Sequence, residues 1–123
     1  MILIFGGAYQ GKLDYAKEKF NIKKVCDCSG GRTPEFDADA VYGTEGFVLE
    51  CAAAGREAAE FFRENREKWQ NKVIIITDVS QGIVPIDKEL RTFREMNGRL
   101  MLYLSGEAHE VHRVFCGLGK RVK

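Results

Sequence analysis

The sequence predicts an α/β protein of three layers, with a small, mainly parallel sheet flanked by helices. Three observations carry this. The chain opens on an apolar run, Ile2 to Phe5, followed by a glycine-rich turn and then by helical spacing of Leu13, Ala16 and Phe20. Its clearest strand, KVIIITD at Lys72 to Asp78, is apolar or β-branched throughout its centre, as expected of a strand covered on both faces. The remaining length is dominated by apolar residues recurring at steps of three and four, the period of helices that cover such a sheet.

The first unit is the most informative. Strand Ile2 to Phe5, the loop GGAYQGKL and a helix from about Gly11 form a phosphate-loop unit, and Gly6, Gly11 and Lys12 match G-x-x-x-x-G-K. Glycines let consecutive backbone N–H groups turn toward a phosphate. The helix N-terminus adds partial positive charge, and a lysine ammonium reaches the outer phosphates. Gly6, Gly7, Ala8, Tyr9, Gln10, Gly11, Lys12 and Leu13 are therefore the candidate binding residues. The position after the lysine ordinarily carries a Ser or Thr for Mg²⁺, and here it is Leu13, which has no oxygen to offer. Asp14 carries oxygen one position later, out of the usual register.

At 123 residues the chain is read as one domain, 1–123. Its 19 Lys and Arg against 18 acids leave a net charge of +1, which gives no signal for nucleic acid or a membrane surface. With no stretch of membrane-spanning length and no charged leader before the first strand, the expected location is the cytoplasm. The four cysteines, Cys26, Cys28, Cys51 and Cys116, form no CxxC and have only His109 and His112 as potential co-ligands, so they read as buried hydrophobes or free thiols.

After Asn21 a second short strand is expected within Lys23 to Ser29. The segment GGRTPEFDAD, Gly30 to Asp39, is a loop, placed where open α/β sheets gather ligand groups, with Arg32 its residue of interest. From Thr44, a plausible N-cap, a helical stripe runs through Phe47, Cys51, Ala54, Ala58, Phe61, Asn65 and Trp69, as one helix or two. Gly55 interrupts it at a cost of about 1 kcal/mol. The strand ending at Asp78 puts a carboxylate where nucleotide enzymes hold a Mg²⁺ water or a general base, so Asp78 joins Lys12 as a catalytic candidate and is the metal candidate. A turn at Val79 to Pro85 leads to Asp87, an N-cap for a helix turning Leu90, Phe93, Leu100, Met101 and Leu104 inward. Glu110 to Cys116 alternates as a last strand, and Gly117 to Lys123 is a basic tail without aromatics.

Taken together, MILIFGGAYQGK, TDVSQGIVP at Thr77 to Pro85, FREMNGRL at Phe93 to Leu100 and the ending EVHRVFCGLGKRVK resemble the bifunctional adenosylcobinamide kinase/adenosylcobinamide-phosphate guanylyltransferases of cobalamin biosynthesis. The resemblance covers roughly the first twenty and last fifty residues. It implies a three-layer P-loop NTPase-like fold, GTP or ATP as nucleotide with Mg²⁺, a corrinoid as acceptor, and small homo-oligomers. Carried over by position, Gly6, Gly7, Gly11 and Lys12 hold phosphates, and Asp78 stands where the family has an acidic residue before its turn. Arg94, Glu95 and Arg99 match charged positions on the late helix.

The departures are equally specific. The family has GKS where this chain has Gly11-Lys12-Leu13, and it transfers GMP through a mid-chain histidine, whereas no histidine precedes His109 here. Met101-Leu102 replaces an Asn-Gln pair, and the middle of the chain is short. Two functional classes follow. One is a divergent nucleotide-binding relative using Lys12 and Asp78. The other is a non-catalytic regulatory or interaction protein on a degenerate phosphate-loop fold.

Overall fold

The computed structural model describes residues 1–80 and 87–123, so the GIVP segment and most of the turn expected before Asp87 lie outside the described residues. The expected α/β layering is present. Six strands, β1 (Ile2–Gly6), β2 (Val25–Asp27), β3 (Ala40–Tyr42), β4 (Val73–Thr77), β5 (Glu110–Phe115) and β6 (Leu118–Arg121), form one sheet in the order β2-β3-β4-β1-β5-β6. Every neighbouring pair is parallel except β5 and β6, an antiparallel hairpin.

The helices are α1 (Lys12–Lys19), α2 (Thr44–Ala53), α3 (Ala58–Glu64), α4 (Arg66–Trp69) and α5 (Lys88–Glu107). Consecutive strand residues face opposite layers, and the burial follows that alternation. Leu3, Ile74, Ile76 and Val111 pack with Phe47, Phe62, Trp69, Leu100 and Leu104 of the α2, α3, α4 and α5 layer. Ile4, Ile75 and Val114 pack with Ala16 of α1 on the other side. This double burial is why β4 reads as an unbroken apolar run.

Several local expectations are corrected. The stripe from Thr44 to Trp69 is three helices, broken at Gly55 (φ 69°) and again at Asn65. Its periodicity survives the breaks because successive pieces bury their apolar residues in one core. Thr44 is not the N-cap of α2. Gly43 holds that position, and the buried Thr44 hydroxyl donates to the Ile75 carbonyl at 2.9 Å, stitching α2 to β4. The tail is not free: Leu118 to Arg121 is an edge strand. Leu90 is 48% exposed rather than inward, although Asp87 caps α5 as expected, its carboxylate accepting the Glu89 and Leu90 N–H groups.

Candidate phosphate site

Parallel strands deliver their C-terminal ends to one edge, and the site lies there. After β1 the chain turns through Tyr9 (φ 58°) and Gly11 (φ 82°), and α1 begins at Lys12 with no side chain capping its first N–H groups. Such an uncapped start leaves donors directed at the cleft, where an anion is favoured. Residues 8–14, together with Ser29 beyond β2, Tyr42 and Glu45 around the end of β3, and Thr77 closing β4, line a cleft of about 600 Å³.

Lys12 is 5% exposed, and its Nζ donates to the Gly7 carbonyl at 2.7 Å, so the ammonium is folded back over the loop. Burial pushes its pKa down, and the Glu45 carboxylate pulls it partly back up. Glu45 was not a sequence candidate. Its Oε1 accepts the Thr77 N–H at 2.8 Å, which fixes a carboxylate within the same cleft as Lys12. Burial, with Glu45, Asp27 and Asp14 adding, raises the Tyr42 phenol. The local glycines serve this packing. A Cβ on Gly46 would meet the Cys28 carbonyl oxygen at 2.3 Å, and one on Gly43 the Ser29 nitrogen at 2.7 Å, so α2 starts hard against the end of β2.

The other candidates divide. The eight loop residues include six, Ala8 to Leu13, on the cleft wall, and Gly7 is its lysine acceptor. Leu13 also packs against the core beneath α1. Asp78 is elsewhere. Its backbone N–H donates to the Gly6 carbonyl at 2.8 Å, but its carboxylate accepts the Ser80 N–H and hydroxyl at 2.9 and 2.6 Å and lines a separate 290 Å³ pocket with Leu3, Phe5 and Met101. Arg32 pairs with Glu35 at 2.8 Å. Arg99 forms a two-point pair with Glu57, 3.2 and 2.9 Å, that pins α5 to the start of α3, and Arg94 donates to the Ser80 carbonyl. A larger cleft of about 760 Å³ beside Phe36, Phe61, Lys68 and Lys72 lies away from the phosphate loop. Among the described residues, no group of three or more His, Cys, Asp and Glu is arranged to hold a metal ion. No helix among them is long and apolar enough to cross a membrane.

The pattern of the family described as cobinamide kinase / cobinamide phosphate guanyltransferase matches residues 38–122. The chain belongs to this family. The match takes in β3 through β6 and begins after the phosphate loop, so the loop stands on its own geometry. Within the family, the chain is similar to the bifunctional adenosylcobalamin biosynthesis protein CobU of Escherichia coli (strain K12), with 40% identity over 53 residues. That alignment covers 42% of this chain and 29% of the relative.

Proposed function

We propose that the chain is a nucleotide-binding member of the cobinamide kinase family in cobalamin-related metabolism, with GTP or ATP phosphates held between the loop N–H groups and Lys12. The observation that carries this is the buried Lys12 ammonium at the uncapped start of α1, already folded over the loop it would share with a phosphate. A phosphate oxygen would replace the Gly7 carbonyl as its partner, a stronger charge-assisted bond.

The cleft wall carries Lys12 against two carboxylates, Asp14 and Glu45, so a bare polyphosphate meets net negative charge there. Mg²⁺ is commonly held by one or two carboxylates together with substrate phosphates, and these two fit that mode better than Asp78. When bound, Mg²⁺ would neutralise phosphate charge. Glu45 and Asp14 would orient it, and the loop N–H groups would set the phosphate position. The acceptor by family likeness is a corrinoid, and the setting is the cytoplasm.

One observation favours a second reading, a binding or regulatory protein without phosphoryl transfer. Leu13 occupies the hydroxyl position and uses its side chain for core packing. The test of the binding claim is calorimetric titration of the protein and of Lys12→Ala with GTP. Loss of a charge-assisted contact predicts about 10- to 100-fold weaker binding by the variant. Its fold should remain intact, since alanine keeps the backbone of α1 and the hydrogen bond removed is a local one to Gly7. Equal affinity would remove Lys12 from the site.

A further inference from the structure

The phosphate loop and its helix are seated on the β5–β6 hairpin at three points. Gly6 approaches β5 so closely that a Cβ would lie 2.3 Å from the Val114 carbonyl oxygen. Gln10 accepts the Gly117 N–H with its carbonyl at 2.8 Å and the Cys116 N–H with its side-chain oxygen at 2.6 Å. The third point is a chain of side chains. The Tyr15 hydroxyl lies 2.6 Å from His112 Nδ1, and His112 Nε2 lies 2.6 Å from Glu110 Oε1.

Each part of that chain is fixed. His112 is 1% exposed and has the Phe20 ring edge-on at 5.5 Å. Its contact holds the Glu110 carboxyl below the usual range. In the neutral ring with its proton on Nε2, Nε2–H donates to the carboxylate and Nδ1 accepts the Tyr15 hydroxyl. The Tyr15 ring lies on Gly119, where a Cβ would come within 1.9 Å of it. The hairpin is shaped to receive this tyrosine.

A helix of eight residues is ordinarily placed by its apolar face, and α1 buries only one apolar residue fully, Ala16. Apolar contact resists separation but tolerates rolling of the helix about its axis. Directional hydrogen bonds do not. We infer that Tyr15, His112 and Glu110 are positioning residues of the nucleotide site, fixing the roll of α1 and so the aim of its first N–H groups and of Lys12. This rests on the nucleotide reading above.

The experiment is a calorimetric titration of the intact protein and of Tyr15→Phe with GTP and Mg²⁺, together with the ring ¹⁵N signals of His112 in the histidine-labelled parent. Tyr15→Phe keeps the ring on Gly119 and removes only the hydroxyl. The expected result is about five- to tenfold weaker GTP binding, the value of one oriented hydrogen bond, and a GTP-dependent shift of the His112 signals in the parent. A contact that merely holds the fold would lower the melting temperature and leave affinity and signals unchanged, and that result overturns the inference. Should Tyr15→Phe fail to fold, the parent's His112 signals decide alone. A parent that binds GTP with unmoved His112 signals refutes the positioning role. A parent that binds no GTP refutes the nucleotide reading and this inference with it.

Discussion

Lys12 shows how a single residue joins sequence to site. Its position after Gly11 was legible because phosphate loops are local, with every group within eight consecutive residues. Glu45, Ser29 and Tyr42 were not, because parallel strands bring the ends of β2 and β3 to the cleft from far along the chain. Asp78 illustrates the same limit from the other side. The strand ends just before Asp78, as its pattern indicates, but the carboxylate accepts the Ser80 N–H and hydroxyl, and the residue lines a different cavity from Lys12. The cysteines give a prediction at this scale. Cys26 and Cys28 are buried with sulfurs 3.8 Å apart, and burial, with Cys26 beside it, pushes the Cys28 thiol up to about 12. Burial raises Cys51 as well, while Cys116 is exposed. Since the thiolate is the reacting form, a disulfide reagent at neutral pH should modify Cys116 fast and the other three only on unfolding. Rapid native modification of Cys28 would contradict the buried dithiol.

Among the elements, β1, α1, β4, α5 and β5 were legible because each has enough length for its period to show. The three-residue β3 follows a polar loop with no alternation to mark it, and β6 (LGKR) has a single large apolar residue. Both are specified by pairing, β3 between β2 and β4 and β6 on β5. One substitution made at two glycines separates packing from propensity. Gly119→Ala would drive a Cβ into the Tyr15 ring and should destabilise by about 2 kcal/mol or more, as overpacking does. Gly106→Ala, in α5 with open space around it, should stabilise by roughly 0.5 kcal/mol through helix propensity. Chemical denaturation of both variants checks the pair, and equal effects would mean that Tyr15 does not rest on β6.

For the whole molecule, the layering was legible from patterning alone, while the bareness of the α1 layer was not, since nothing local shows how many helices cover each face. Whole-molecule stability also carries a pH signature. The Asp39 carboxylate accepts the Lys24 and Lys23 N–H groups, both at 2.9 Å, and these bonds hold its pKa below the ordinary aspartate range. A carboxylate lowered on folding contributes stability that is complete above its unfolded value and is lost as pH falls through the folded one. The native protein should therefore lose stability on acidification below about pH 4, where unfolded Asp titrates. Asp39→Asn should be less stable at pH 7, with a shallower acid decline. Parallel acid curves for the two proteins would show that Asp39 does not contribute.

In the proposed function the cleft around Lys12 takes a nucleotide, and Asp14 and Glu45 make it favour the Mg²⁺ complex. Calorimetric titration of the unmodified protein with GTP, with and without Mg²⁺, tests it most directly. Binding should strengthen on adding Mg²⁺, and in a Glu45→Gln variant the metal-free affinity should rise and the Mg²⁺ gain shrink. No binding in either condition would contradict it and leave the loop as a turn that organises the sheet.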